Sequence, residues 1–588
     1  MFIEKLNKIF KAEETSVHLT PQNTVVVCGA GISFNSGLPS GYKIVSELFK
    51  TINANSFNSK VDLHSLFQEY NEKVVSKLLN TKTSLYHSPR LEALFNALKT
   101  TLTEKEYYHA TKYYLYKECV DKKVFSSSIH FELAEFISRG GDVLTANFDR
   151  LIEDALIELE CESKVVVFPL EKSYENSYGG ALVKYHGDIE TPKSIGIDLS
   201  NLSFEGFKLH ETSLLNKIFE GKENVLFVGF SVSDTLDLVP YLRKYIGLNY
   251  FYLNYQQRVG ESQIIDWRTN VSQSKLLEPF DFFCKENNLN GFHIFESYDK
   301  EIVFTEKTST VGKIIFDAKD TSSSMIINKL KDVDSVDQIY LAILKNFGLL
   351  NLLDKNDLRR IEKFEDYNSF YNNINGNYFI ELTRLRTLVK QARSEHFKYF
   401  IKLQEFVFLQ KGKLPQRLFY LLKLPYSFVR VLNVAKKRGV NQLANLYAVN
   451  LFWIRIFQIL ESFNFLKRLV PSKVLLLYQN RIKEQLELCK SENNLRLYRF
   501  TYKEYWYFKC FWKNRLNITE EELFTDLQNL IKLNADSNYL LDINNLLRQA
   551  VRYLDINKQE ILDIAEDSCR IINDELNLGK LREMRMLE

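Results

Sequence analysis

The sequence predicts an α/β domain built on a parallel sheet, carrying a helical insertion and followed by an all-α domain. Three observations carry that expectation. Glycine and proline are unevenly spread, with 16 of 22 Gly and 7 of 10 Pro in the first 300 of 588 residues, so tight turns concentrate there. The same stretch alternates short β-branched or aromatic runs with segments of helical periodicity, the pattern of parallel strands covered by helices on both faces. Beyond about residue 310 glycine is sparse and apolar residues recur at three- and four-residue spacing, as in Ile339–Leu353 and Leu523–Leu533, the period of helices that bury one face.

The expected strands are Val25–Cys28, Val143–Thr145, Lys164–Phe168, Leu182–Tyr185, Val225–Val228 and Tyr250–Leu253. Residues 44–130 read as a helix-rich insertion, a lid on the sheet, within a first domain of residues 1–305. Residues 306–588 form the helical domain, where Thr519 and Glu522 fit a capping box ahead of Leu523 and Pro415, Pro425 and Pro471 mark breaks. No fixed-period repeat stands out, which leaves an irregular helical array.

Composition narrows the function classes. The chain is 45% hydrophobic and 26% charged with a net charge of +3, which describes a soluble globular protein with no global field toward nucleic acid or an anionic membrane. Its seven cysteines are scattered without a CxxC pair, against both a disulfide framework and a structural zinc ribbon. No run approaches the ~18 apolar residues of a membrane span, and the first residues lack the apolar core of a signal peptide. A cytoplasmic protein without a bound metal is expected.

The strongest local feature is Val25-Val26-Val27-Cys28-Gly29-Ala30-Gly31-Ile32-Ser33, an apolar strand running into a glycine-rich turn. Such a turn brings backbone N–H groups close to a pyrophosphate at the start of the next helix. Taken alone, the same glycines serve equally well to make a tight strand-to-helix turn.

Four segments in chain order resemble the sirtuin (SIR2) family. Gly29-Ala30-Gly31-Ile32-Ser33-Phe34-Asn35-Ser36-Gly37-Leu38-Pro39 is similar to its opening nucleotide-binding motif, GAGxSxxSGxP. Thr145-Ala146-Asn147-Phe148-Asp149 resembles TxNxD, Tyr185-His186-Gly187-Asp188 the HG motif, and Gly229-Phe230-Ser231 the late glycine–serine turn. The resemblance spans roughly residues 20–300 and implies a Rossmann-like, SIR2-like fold that takes NAD⁺ as substrate. It implies that Asn147 positions the nicotinamide ribose and that His186 is the general base, a task suited to an imidazole titrating near neutrality. Gly29, Ala30, Gly31, Ser33, Pro39, Asp149, Gly229, Ser231 and Asn254 would contact the dinucleotide. Asp149 also suits a cap for the helix that follows, and both roles can hold together. His130, at the start of an apolar-periodic helix, reads as a packing or capping residue. Pro89-Arg90-Leu91-Glu92 resembles a segment of defence-associated sirtuin-like proteins and equally fits an exposed helix start.

Three departures separate the chain from protein deacetylases of that family. Pro39 leads into Ser40-Gly41-Tyr42 where those enzymes carry an acidic–aromatic–Arg triplet, and no cysteine lies between His186 and Gly229 where they carry a four-cysteine zinc module. Gly187-Asp188-Ile189-Glu190-Thr191-Pro192 follows His186 where they present an acyl-lysine loop. The resemblance therefore implies an NAD⁺ hydrolase (NADase) releasing nicotinamide and ADP-ribose, of the bacterial anti-phage, abortive-infection type. The alternatives are an ADP-ribosyl transferase and a non-catalytic NAD⁺ or ADP-ribose sensor. A toxic hydrolase needs a gate, so a homo-oligomer, tetrameric or larger, and a phage-protein trigger or partner defence protein are expected. The basic and aromatic stretch Lys402–Arg438 reads as nucleic-acid binding or, the favoured reading, as an amphipathic helix pair with a solvated basic face.

Overall fold

The computed structural model describes residues 2–55, 62–80, 89–119, 121–161, 164–167, 180–191, 194, 215–232, 238–259, 263–266, 268, 278–297, 309, 312–314, 317, 321–353, 470–491 and 495–587. The chain divides into two compact units. The first comprises Met1–Ser56, Asp62–Gln68 and Lys82–Ile343, the second Phe57–Val61, Glu69–Thr81 and Leu344–Glu588.

The strands of the first unit are β1 (Thr24–Cys28), β2 (Lys123–Val124), β3 (Asp142–Thr145), β4 (Lys164–Val167), β5 (Ala181–Lys184), β6 (Asn224–Val228), β7 (Asn249–Val259), β8 (Gln263–Asp266), β9 (Asn290–Ser297) and β10 (Lys313–Ile314). Eight of them form one sheet in the order β4-β5-β3-β1-β6-β7-β9-β8. All neighbours run parallel except β8, antiparallel to β9. β2 and β10 make a separate antiparallel pair. All six strands expected from sequence are present; the edge formed by β8 and β9 was not foreseen.

The hydrophobic runs explain the layers. Successive side chains of a strand point to opposite faces, and here both faces are buried. Val25, Val27, Leu144, Val183, Val225 and Phe227 pack with Leu238, Tyr241, Phe280 and Phe283 of the helices Leu238–Leu242 and Glu278–Asn287. Val26, Cys28, Val143, Leu182, Leu226 and Val228 pack on the other side with Phe2, Leu6 and Phe10 of helix Phe2–Ala12, Leu133 and Phe136 of helix Ser128–Ser138, and Ile152 of helix Leu151–Glu158. Burying each such large apolar side chain stabilises the fold by about 1.5–3 kcal/mol. The result is a three-layer, Rossmann-like unit with β1 at the centre, Val27 opposite Leu144 on one side and Phe227 on the other. From β1 the chain lays β3 beside it, then β4 at the edge and β5 between β3 and β4, and returns to lay β6 and β7 on the opposite flank of β1. Strand order therefore reverses at β1, and ligands of open parallel sheets bind outside the carboxyl ends at such a point.

The described residues of the stretch 44–130 are mostly helical, as expected, in helices Gly41–Asn55, Leu63–Tyr70, Leu91–Thr101 and Glu104–Tyr116, with the short strand β2 near its end. Pro89–Glu92 opens the third of these. Of the aromatic residues there, Phe67, Tyr70, Tyr107, Tyr114 and Tyr116 are buried, with at most 6% exposed, while Tyr108 and Tyr113 are half-buried.

In the second unit, helices Ser472–Ser491, Leu495–Leu516, Glu520–Asp536, Leu540–Tyr553, Lys558–Ile571 and Glu575–Leu587 each pack on the next. Thr519 caps as its sequence foretells, its hydroxyl accepting the Glu522 N–H at 3.2 Å, but the Glu522 carboxylate turns to Lys509 at 3.0 Å. Tyr505, Trp506 and Phe508 are buried, the indole N–H of Trp506 donating to Leu523 O at 2.8 Å, so these aromatics are core. Residues 69–81 belong to this unit through buried Val74 and Val75 and through Tyr70, whose hydroxyl donates to Asn544 Oδ1 at 2.8 Å. Pro415, Pro425 and the stretch 402–438 lie outside the described residues. No described helix is long and apolar enough to cross a membrane.

Candidate functional site

Four of the motifs begin at the carboxyl end of a parallel strand, with Gly29 after β1, Asn147 after β3, His186 after β5 and Gly229 after β6, while Asn254 lies within β7, one residue past its last pairing with β6 at Leu253. The centre of the site is the Ser33 hydroxyl. It donates to Asp149 Oδ2 at 2.9 Å, accepts from Asn147 Nδ2 at 3.0 Å, and faces His130 Nε2 at 3.5 Å. A hydroxyl has one hydrogen and two lone pairs, so three partners saturate it. All four side chains are buried.

Local structure explains how each arrives there. Asn147 follows β3 in a turn held by its own N–H on Thr145 Oγ1 at 3.1 Å. Asp149 Oδ1 accepts the Leu151 N–H at 3.1 Å, the helix-start role expected of it, while Oδ2 takes Ser33. His130 sits at the third position of its helix, and its Nδ1 accepts the Ser127 N–H at 3.0 Å. An amide can only donate, which leaves the ring proton on Nε2, the nitrogen facing Ser33. The capping expected of His130 is correct and incomplete, because its other nitrogen enters the site. Burial pushes this imidazole down to about 4, against the pull of Asp149, so it is neutral at physiological pH.

His186 is fixed by aromatic neighbours, lying nearly parallel to Phe148 with centroids 6.2 Å apart and edge-on to Tyr185 at 4.5 Å. Phe148 belongs to the Asn147 turn, so the ring of one motif orients the imidazole of another. The two turns are also joined directly, Ile189 N–H donating to Phe148 O at 3.0 Å.

The glycine turns interlock. Gly31 N–H donates to Gly229 O at 2.9 Å, and a Cβ on Gly31 would stand 2.8 Å from the Gly229 Cα and O. Gly229 has φ +60, and a Cβ there would meet Ile32 N at 2.6 Å. Backbone lies on backbone, which only glycine permits. The run after Gly29 is a 3-10 helix, Ala30–Ser36, ended by Gly37 at φ +86; the poor helix formers Ser and Asn within it favour that short form over an α-helix. Pro39 is buried behind it, Ala30 is half-buried, and Ser231 is exposed after the Gly229 turn. Asn254 is buried, level with that turn. Among the described residues, no group of three or more His, Cys, Asp or Glu is arranged to hold a metal ion.

Sequence reasoning did not find Lys184. It occupies the last position of β5, wholly buried, two residues before His186. A lysine inside a strand covered on both faces was the available signal, since such a cation is buried only when paired.

The fold and the convergence of motifs at its switch point define a Rossmann-like α/β unit with a polar site at the carboxyl edge of the sheet. Residues 142–246 match the family model described as a SIR2-like domain. That match contains Asn147, Asp149, His186, Gly229 and Ser231, and is consistent with NAD-related activity. No curated protein matches the chain.

Proposed function

We propose that the chain is an NAD⁺ glycohydrolase that releases nicotinamide and ADP-ribose. The observation that carries the reading is the Ser33 hub, which gathers at the switch point the Asn147 amide and the Asp149 carboxylate, both from the segment that matches a SIR2-like domain. Ser33 takes one amide hydrogen of Asn147 and leaves the other, with Oδ1, for a ribose hydroxyl or a water. The C1′–N bond breaks with its electron pair passing to nicotinamide. A water oxygen bonds to C1′, and its proton passes to His186. Positive charge that builds on the ribose is favoured beside Asp149, whose orientation Ser33 and Leu151 fix in advance. Gly29–Ser33, Pro39, Gly229, Ser231 and Asn254 bind the rest of the dinucleotide.

The missing zinc cysteines and peptide loop favour water over an acyl-lysine as the acceptor. Gating by assembly into a tetramer or larger homo-oligomer, or by a phage protein or partner defence protein acting through the helical domain, would make such an activity tolerable in a bacterial cytoplasm. The test is nicotinamide release from NAD⁺ by purified protein, with and without candidate triggers and with a chelator as control. Equal amounts of ADP-ribose support hydrolysis; label transferred to protein or nucleic acid supports a transferase instead; tight binding without turnover under every trigger refutes both in favour of a sensor.

A further inference from the structure

The Lys184 ammonium makes four contacts: Asp149 O at 2.6 Å, Glu153 Oε1 at 2.7 Å, Asp188 Oδ2 at 2.8 Å and Phe148 O at 3.3 Å. Two are backbone carbonyls of the turn that carries Asn147, one is the carboxylate that follows the His186-Gly187 pair, and one lies in the first turn of the helix Leu151–Glu158. Asp188 is held in turn by the Glu190 N–H on Oδ1 at 2.7 Å and by Ser194 Oγ on its own N–H at 2.8 Å. One buried cation therefore ties together the two loops that bear the amide and the imidazole.

Packing alone does not call for this arrangement. Taking one cation and two carboxylates out of water costs several kcal/mol per ion after relaxation, and apolar replacements of buried ion groups are often as stable or more so. The geometry matches a need for relative position. An ammonium has three hydrogens directed apart in space; here they serve the three close acceptors, Asp149 O, Glu153 Oε1 and Asp188 Oδ2, with Phe148 O sharing one at 3.3 Å, so that one turn, the helix after it and the loop after His186 are held at set distances. Burial works to lower the Lys184 pKa, but Glu153 and Asp188 outweigh it and raise it, so the charge persists. Asp188 is held below its ordinary value because Lys184 overcomes the effect of burial.

We propose that Lys184 is a positioning residue whose buried ammonium locks the Asn147 turn to the His186 turn and so sets the spacing at which the two act on one substrate. What that substrate is rests on the NAD⁺ reading above; the lock itself does not.

The test uses the full chain with Lys184→Met and, because that variant leaves two facing carboxylates, also Lys184→Met/Glu153→Gln. Glutamine keeps the size of Glu153 and removes the charge that losing Lys184 would otherwise leave unpaired. Two quantities are read in protein shown to be folded by unchanged exchange at the Val26 and Leu226 amides. The first is hydrogen exchange at the Ile189 amide, which spans the two turns. The second is turnover of NAD⁺. We expect faster exchange at Ile189 and a kcat lower by about 10- to 100-fold, the cost of misplacing catalytic groups by around an ångström, with KM for NAD⁺ within about threefold because the glycine turns are untouched. Wild-type exchange at Ile189 in the folded double variant, or unchanged kcat, overturns the proposal. If triggered wild-type protein releases no nicotinamide, the NAD⁺ reading fails, and exchange at Ile189 alone decides the lock.

Discussion

Acid should weaken the first unit through His130. Its ring is fully buried and held at about 4 against an ordinary 6.5. At pH above 6.5 the ring is neutral folded and unfolded, so the full stability is present. As pH falls below 6.5 the unfolded chain takes up a proton that the folded chain refuses, and stability declines until the folded ring itself protonates near 4. At about 1.4 kcal/mol per pH unit, the loss comes to about 3 kcal/mol. Asp149, the charged group coupled to the ring, keeps it from being larger. The comparison is between wild type and His130→Asn, whose Oδ1 can take over the Ser127 N–H. Unfolding free energies come from hydrogen exchange at the Val26 and Leu144 amides in rising urea, at pH 7 and at pH 4. The wild-type advantage should shrink by about 3 kcal/mol between the two. An advantage that stays constant with pH would refute both the neutral tautomer and the burial argument.

Three further outcomes are expected. Gly31→Ala, whose new methyl meets the Gly229 backbone, should cost about 1–3 kcal/mol as an overpacked contact, read as a lower melting temperature with NAD⁺ binding lost alongside; wild-type melting and binding would show that the turns can part. Asn147→Ala and His186→Ala should each remove most NAD⁺ turnover, about 10²- to 10⁴-fold for the base, with amide exchange in the sheet unchanged, and a folded, triggered variant near wild-type rate would displace the site assignment. Light scattering on the turning-over enzyme should find a homo-oligomer, tetrameric or larger, whereas a fully active monomer would end the assembly proposal.

The strands were legible because runs such as Val25–Cys28 and Val225–Val228 are apolar on both faces, which few structures other than a covered parallel sheet allow. The motif residues were legible as short words at strand ends. Their mutual contacts were not, since Ser33 meets His130 and Asp149 only through the fold, 97 and 116 residues away. His130 shows the limit well: its capping partner is three residues off and readable, while its site partner lies on another strand's turn. Lys184 had a signal, a charged residue in a buried run, but no local pattern states which loops it joins. β9 went unseen although Phe292, Ile294 and Phe295 are apolar, because His293, buried against Asp281 at 2.6 Å, interrupts the run with a polar side chain.

The threading of residues 69–81 bears on any attempt to take the protein apart. A fragment beginning at residue 344 would lack Tyr70, Val74 and Val75, and would leave Asn544 without the hydroxyl that now donates to it. A fragment ending at residue 343 would keep those side chains and strip away the helices that bury them. Neither piece is a clean half, so lost activity after deleting the carboxy-terminal helices would not distinguish a missing regulator from a damaged fold. Regulation is better probed by point substitutions in the intact chain, or by a graft that carries residues 69–81 together with the helices they belong to.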